Sequence, residues 1–438
     1  MASSPIQVVL NTKNFIEALD QQGGGPNKDF YAGQDGEFVI HKAEISKQLS
    51  ALKEIQIENE FSDVSYAKIT LKQSALAKSH RPTTALFSKD VAPVIGAGDL
   101  GELFVELQPG SIDKLSAKVT QAEESTIWKK NKEGKELPNP SNLRSEIGAI
   151  EEISAYTSSD KRKFSVTDGL KWISNPQTGG AYIVELFETP PPRQDWDRLP
   201  ISKFKLFKSF TEGLSNFGNG IVVSRLAESD TNMAMLGVRL EEGSASANIQ
   251  LMPTPSGVKR QTNVKQIDFN VDNHGRLLNF LDRHPLVRRI VLPPIISKSN
   301  DSKSGILIGK KFDLPVKNPN KTYPKIGIID GGVSDYLNAW VEDRWGLLSP
   351  GDKDEDHGTF IAGLLLSGQS LNGSDICKEV DGCSIIDLDI LPISNYFANY
   401  YTKPLEFFKE LEIAVKELKA RTGVRVFNFS LNIEEHVS

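Results

Sequence analysis

The part of the chain that most constrains its fold is 323–431, where short apolar runs alternate with helix-like segments. Residues 323–330 (YPKIGIID) form a nearly continuous apolar run that ends in Asp330. Residues 358–366 (GTFIAGLLL) have the composition of a buried helix. Two further apolar runs, 383–391 and 424–431, flank an amphipathic stretch at 404–421. This alternation predicts an α/β fold with a doubly wound parallel sheet, because parallel strands need crossover connections.

Two polar residues stand at the junctions of this pattern. Asp330 ends the first run and precedes two glycines, and His357 follows 27 positions later (357 − 330) at the start of the helix-like segment. Active sites of parallel sheets gather at the carboxyl ends of the strands. Taken alone, an Asp before two glycines is usually a turn, and a lone His is more often structural. The conjunction of both in this order favours a shared site.

These residue types fit general-base catalysis. A histidine that takes a proton from a serine needs its second ring nitrogen held by a carboxylate, which fixes the tautomer and stabilises the imidazolium. We therefore predict that Asp330 and His357 are catalytic, with Asp330 orienting His357. This chemistry requires no cofactor and no metal.

The order of Asp before His, and the segments IIDGG (328–332) and HGTFIAG (357–363), resemble the subtilisin-like serine proteases, or subtilases. The resemblance covers residues 323–438 and implies the amino-terminal half of a subtilisin-like peptidase domain. Residues 427–432 (FNFSLN) are similar to the subtilase strand whose end pairs with the substrate backbone. Ser430 and Leu431 are accordingly the implied substrate-binding residues. Asn432 replaces the glycine that is usual in the family, which puts the shape of the specificity pocket in doubt.

The family's nucleophile and oxyanion segments have no counterpart after Leu431. The nearest look-alike, 243–247 (GSASA), lies upstream of Asp330 in the wrong order and is read as a loop. These 438 residues alone are therefore expected to be inactive, as the amino-terminal part of a longer serine endopeptidase whose next segment covers the apolar strand 424–431. The alternative is a non-catalytic regulatory or peptide-binding protein that keeps a protease-like domain.

The upstream sequence predicts two α+β modules. Residues 1–60 are an N-terminal extension with one helix near 45–52. Residues 61–160 are the first module, which includes a predicted strand at 147–156, and residues 175–296 are the second, which includes a predicted strand at 266–271. The second module ends in a helix (275–282), a Pro-containing turn and a strand (287–292), an ending that resembles a subtilase propeptide. In that family, propeptides act as intramolecular chaperones and inhibitors. The alternative is a plain interaction domain, and 297–322 are a linker or processing loop in either case.

The composition narrows the choice of partners. The chain has 51 Lys and Arg and 57 Asp and Glu, a formal net charge of −6. No dominant basic field is present, so nucleic acid is not an expected partner. The basic clusters 129–132 and 161–163 are predicted to be solvated loops. The acidic run 352–356 is read either as solvated surface or as a site for a cation or a basic substrate side chain.

The cellular setting is also predicted from the sequence. Only two cysteines occur, Cys377 and Cys383, which fits free thiols in a reducing compartment, although they could pair across a small loop. No signal peptide or apolar run of membrane-spanning length is visible, so a cytoplasmic protein without a membrane partner is predicted. The whole-chain layout is similar to that of cytoplasmic subtilases that accompany an AAA-type ATPase in bacterial phage defence. This resemblance implies an AAA-type ATPase as a partner, besides a protein or peptide substrate.

Overall fold

The computed structural model describes residues 27–436, except for 78–79, 218–219, 228–233, 243–247, 251–265, 299–313, 376–380 and 402–404. The protein is mixed α/β, with two largely antiparallel sheets followed by a four-stranded parallel sheet. The look-alike segment 243–247 and most of the linker 297–322 lie outside the described residues. None of the helices described is long and apolar enough to cross a membrane.

The first module is built on a four-stranded antiparallel sheet. Its elements are α1 (Asp35–Ile57), β1 (Ser65–Leu71), β2 (Val94–Ala97), β3 (Glu102–Leu107), α2 (Ser111–Gln121), β4 (Trp128–Lys130), β5 (Glu136–Pro138), α3 (Asn142–Ala149) and β6 (Ile150–Ala155). The strand order is β2-β3-β1-β6, and β4 and β5 form a separate hairpin. A predicted strand at 147–156 is wrong in its first three residues, which complete α3.

Helix α1 is longer than the predicted helix at 45–52 and belongs to the first module. Phe38, Ile45, Leu49 and Leu52 recur at helical spacing, and all four are buried in one core with Ile69 of β1. The packing unit therefore begins before residue 61, the boundary that the sequence suggested.

The second module is built on a five-stranded sheet in the order β10-β8-β9-β7-β11. Its elements are α4 (Ser158–Lys161), α5 (Val166–Ile173), β7 (Ala181–Leu186), α6 (Ile201–Asn216), β8 (Ile221–Ala227), β9 (Met235–Leu240), β10 (Asn248–Gln250), α7 (Val271–Arg283) and β11 (Val287–Val291). Of the strand pairs described in this sheet, β10–β8 is parallel and the others are antiparallel. A strand predicted at 266–271 is reduced to one bridge, Glu241 to Ile267, because Asn270 caps α7.

The two modules share a core. Tyr66 and Phe104 lie on the face of the first sheet opposite α1, and both contact Phe187 of the second module. The rings of Tyr66 and Phe187 are stacked with their centroids 4.2 Å apart. The sequence predicts two modules, and the structure packs them face to face.

The basic cluster 161–163 differs from its prediction as a solvated loop. Lys161 is only 4 % exposed and donates to the carbonyl oxygens of Asp282 and His284, each at 2.9 Å. Burial lowers the pKa of Lys161 to about 8. In the other basic cluster, Lys129 and Lys130 are exposed as predicted, but they lie in β4.

The parallel sheet follows in the last third of the chain. Its elements, with two flanking strands, are β12 (Ile295–Lys298), β13 (Lys325–Asp330), β14 (Val341–Gly346), α8 (Glu355–Leu366), α9 (Gly368–Asn372), β15 (Ser384–Asp389), α10 (Phe397–Tyr400), α11 (Glu406–Thr422), β16 (Val426–Phe429) and β17 (Leu431–Glu434). The order is β14-β15-β13-β16, with every pair parallel. The predicted parallel sheet of an α/β fold is confirmed at this level.

Helices cover both faces of this sheet. Ile328 packs in one core with Ala362 of α8, whereas its neighbour Ile329 packs in another with Ala414 of α11. Adjacent strand residues point to opposite faces, so burial of both explains why the strand sequences are nearly continuously apolar. Gly423 ends α11 with a left-handed φ of +74°, as the sequence predicts.

Candidate functional site

Asp330 lies at the carboxyl end of β13 and is 1 % exposed. Its Oδ1 accepts a hydrogen bond from the backbone N–H of Gly331 at 2.7 Å. Its main-chain oxygen accepts from the N–H groups of Ile390 and Leu391, just after β15. The carboxylate is thus fixed at the edge of the sheet where its strand ends.

The two glycines after Asp330 allow both a sharp turn and close packing of the chain around that turn. A Cβ at Gly331 would lie 2.6 Å from the carbonyl oxygen of Asp354 and 2.9 Å from that of Leu391, which is too close for any side chain. Gly332 has a φ of +113°, a conformation that only glycine adopts readily. The turn predicted from the Gly-Gly pair is present, and it brings the chain against the start of α8.

His357 is the third residue of α8, which begins at Glu355 and so starts two residues earlier than predicted. Its Nδ1 lies 2.5 Å from Asp330 Oδ2. An ionised carboxylate only accepts, so the shared proton lies on Nδ1 and Nε2 is the basic nitrogen. The side chain of His357 is 10 % exposed, against 1 % for Asp330. This geometry is that of a histidine base oriented by a buried carboxylate.

No protein-family model, curated protein or solved structure matches this chain. The site is therefore interpreted from its own geometry.

Gly358 allows the helix to approach the strand. A Cβ at this position would lie 2.3 Å from the carbonyl oxygen of Gly332 and 3.2 Å from Asp330 Cβ. Gly363 was expected to permit close packing as well, and this is wrong, since nothing lies within 4 Å of a Cβ there. Thr359 ties the same helix to the turn, because its Oγ1 accepts from the N–H of Ser334 at 2.9 Å.

The structure changes the prediction of one strand over 424–431. The chain breaks at Ser430, whose Oγ donates to Asn428 Oδ1 at 2.6 Å, and Leu431 begins β17. Phe429 pairs in register with Ile329, so Ser430 follows at the level of Asp330. Asp330, His357 and Ser430 therefore belong to one end of the sheet.

Leu431 is placed in a ladder that the sequence did not predict. Strand β17 pairs antiparallel with β12, and Leu431 is the register partner of Lys298. The strand edge that the resemblance assigns to substrate binding is therefore paired with β12, a strand of the same chain at the end of the second module.

Two further carboxylates, to which the sequence patterns assign no role, lie on β15 on the same sheet face as Asp330. Asp387 is 1 % exposed and accepts from Arg344 Nη1 at 2.5 Å, while its Oδ1 has no hydrogen-bond partner among the residues that the structure describes. Burial raises the pKa of Asp387 to about 6, and the charge of Arg344 opposes this rise. Asp389 is paired with Lys353 and accepts from the N–H of Leu347 at 2.7 Å. The sequence signal for these two carboxylates was the placement of Asp at alternate positions within an apolar strand.

The acidic run 352–356 is largely engaged in contacts of its own. Asp352 Oδ2 accepts from the Tyr400 hydroxyl at 2.6 Å, and Asp354 caps α8 by accepting from the N–H of Asp356 at 3.3 Å. Across the described part of the chain, no group of three or more His, Cys, Asp or Glu side chains could hold a metal ion. Asp352 and Asp354 thus hold their own part of the chain, a role that neither predicted reading of the run included.

Cys383, the described cysteine, is a buried free thiol. Burial raises the pKa of Cys383 to about 11, which keeps it protonated at neutral pH and a poor nucleophile. Cys377 lies outside the described residues.

Proposed function

We propose that this chain carries the general-base half of a subtilisin-like serine endopeptidase. The observation behind the proposal is the contact of His357 Nδ1 with Asp330 Oδ2, 2.5 Å apart at the carboxyl edge of a parallel sheet. It is supported by the Asp-before-His order and by glycines at the two points where a side chain would separate α8 from β13. The proposed fold of this part is accordingly subtilisin-like.

In the proposed reaction, His357 accepts and then returns a proton in each of two half-reactions. His357 Nε2 accepts the proton of a serine hydroxyl as its oxygen bonds to the scissile carbonyl carbon. The imidazolium then gives that proton to the leaving amine as the peptide bond breaks. In the second half, His357 takes a proton from water as the water oxygen bonds to the acyl carbon, and it returns that proton to the serine oxygen as the ester bond breaks. Asp330 holds the tautomer and offsets the positive charge. The proposal assigns the base and its orienting carboxylate to this chain, and it assigns the nucleophilic serine to no residue of it.

The second module supports an inhibitory, propeptide-like role within this proposal. Two of its side chains bind the main chain at and just before β12. Trp172 Nε1 donates to the Pro293 carbonyl and Gln177 Oε1 accepts from the Ile296 N–H, both at 2.8 Å. From the other side of the ladder, His436 packs edge-on against Trp172 with ring centroids 5.3 Å apart. The β12–β17 pairing would deny a substrate the backbone of residues 431–434.

The wider setting belongs to the same proposal. The substrate is a protein or peptide, the compartment is the reducing cytoplasm, and an AAA-type ATPase is the proposed partner. Free, buried Cys383 is compatible with that compartment.

The test uses the protein purified from its own source, with peptide hydrolysis and labelling by a fluorophosphonate as readouts. His357→Ala should lower kcat by about a million-fold and Asp330→Asn by about ten-thousand-fold, since both remove the oriented base. His80→Ala, in the first module, is the matched control and should retain activity. Hydrolysis that survives His357→Ala would refute the proposal.

A second candidate function follows from the occupied ladder. In this alternative, β17 serves to pair with an extended strand, and the protein binds a peptide at that edge without cleaving it. Binding that is unchanged by His357→Ala, together with no fluorophosphonate labelling, would favour this regulatory role.

A further inference from the structure

The Asp330–His357 pair lies beside a second ion pair, between Lys353 and Asp389, which the proposed mechanism does not use. We propose that Lys353 and Asp389 are a positioning and charge-balancing pair, which anchors the start of α8 and sets how readily His357 takes up a proton. The inference deepens the proposed function and rests on it.

Asp389 is placed beside Asp330 by the sheet itself. The two residues are register partners on adjacent parallel strands, which lie about 4.8 Å apart, and such partners point to the same face. Asp389 is 5 % exposed at its side chain, and its Oδ1 accepts from the N–H of Leu347. Its carboxylate is therefore a fixed negative charge next to the one that orients His357.

Lys353 reaches this carboxylate from the segment that leads into α8. It lies four residues before His357 (357 − 353), and its ammonium binds Asp389 Oδ2. A Cβ on Gly332 would be 3.5 Å from Asp389 Cβ and 3.7 Å from Lys353 Cδ. Gly332 also supplies the carbonyl oxygen against which Gly358 packs. The ion pair and the helix that carries His357 thus rest on the same residue of the turn after Asp330.

The charges predict effects of opposite sign. Loss of the Asp389 charge leaves Lys353 uncompensated and disfavours the imidazolium, whereas loss of the Lys353 charge leaves Asp389 uncompensated and favours it. The other charged groups around His357 are unchanged in both variants: Asp330 from β13, Asp387 from β15 with Arg344 from β14, and Asp354, Glu355 and Asp356 at the start of α8. Simple loosening of the loop would move both variants in the same direction.

The experiment is an NMR titration of the His357 ring in this 438-residue chain, with its signals assigned by their loss in His357→Ala. Asp389→Asn should move the titration midpoint down and Lys353→Met should move it up, each by about 0.5 to 2 pH units. The double variant should return to within a few tenths of the parent. Asp389→Asn keeps the side-chain shape, so it alone decides the sign if Lys353→Met does not fold.

The matched controls are Lys325→Met and Glu342→Gln, an ion pair near the opposite end of the sheet. Neither should move the midpoint by more than a few tenths of a unit, because solvent screens partly exposed charges at that distance. An unchanged midpoint in Asp389→Asn, or shifts of the same sign in both single variants, would overturn the inference. The readout needs no hydrolysis, so opposite shifts would support the charge role even where peptidase activity is absent. The charge role and the proposed peptidase function can therefore fail independently of each other.

Discussion

Buried charges are used differently in the antiparallel modules and in the parallel sheet. In the first module, Arg144 is fully buried and bonds to Asp29, Asp35 and Thr126, and also to the main-chain oxygens of Glu123 and Tyr31. Glu146 accepts from the backbone N–H groups of residues 84–86. At the junction with the second module, Lys161 donates to two carbonyls. The hydrogen bonds of Glu146 and Lys161 named here all go to main-chain groups, and Arg144 divides its bonds between side chains and main-chain oxygens.

In the parallel sheet, three buried carboxylates each accept from a main-chain N–H and also meet a basic side chain. Asp330, Asp389 and Asp387 lie near the carboxyl end of β13 and β15, and their partners His357, Lys353 and Arg344 come from three different segments. A charge bound to backbone groups fixes a shape, whereas a charge bound to a titratable side chain also couples to proton transfer. The comparison teaches that burial of charge alone does not mark a site, and that the nature of the partner does.

The largest expected effect tests the structural half of the comparison. Arg144→Met leaves the Asp29 carboxylate buried without its cation and should lower the free energy of unfolding by about 3–5 kcal/mol, measured by urea denaturation. Lys53→Met is the control, because the Lys53–Asp113 pair is 48 % and 63 % exposed and should change stability by at most about 1 kcal/mol. Equal effects of the two substitutions would break the comparison.

An intermediate effect is expected where α8 meets β13. Gly358→Ala places a methyl group 2.3 Å from the carbonyl oxygen of Gly332, and the forced shift should cost about 1–3 kcal/mol. It should also weaken the Asp330–His357 hydrogen bond, seen as loss of the downfield Nδ1 proton signal in NMR. Gly363→Ala, in the same helix with open space, should instead stabilise by about 0.5–1 kcal/mol and keep that signal. A retained signal in Gly358→Ala would show that the close approach is not what aligns the pair.

The last expected effect is a pH dependence at Asp387. Burial raises the pKa of Asp387 from 3.8 to about 6 in the folded protein. Between these values the folded state binds more protons than the unfolded state, so the contribution of Asp387 to stability falls as the pH rises through that window, by at most about 1.4 kcal/mol per unit. The difference in unfolding free energy between the parent and Asp387→Asn should therefore decline from pH 4 to 6 and level off above. A difference that stays constant across this range would contradict the prediction.

Local patterns predicted much of the parallel sheet. The bounds of β13, β15 and α11 agree with the sequence within a few residues, because continuous apolar runs, an amphipathic stretch and a helix-ending glycine are local signals. Strand β14 was missed because VEDRWG carries three consecutive charged residues, which do not form a strand pattern, and because it lies at a sheet edge. Helix α1 was underestimated because its first half carries exposed Val39 and Ile40, which blur the apolar stripe.

The sequence by itself determined that Asp330 ends a strand and that His357 stands at the start of a helix, because an apolar run, a Gly-Gly pair and a second apolar run are local signals. It could not determine the pairing of β12 with β17, the core shared by Tyr66 and Phe187, or the ion pairs of Asp387 and Asp389. Those features join residues dozens to more than a hundred positions apart, and a local pattern says nothing about which distant partner a strand edge or a buried charge will meet. The tertiary structure decided them through packing, because each buried polar group must find its partner wherever the chain brings one.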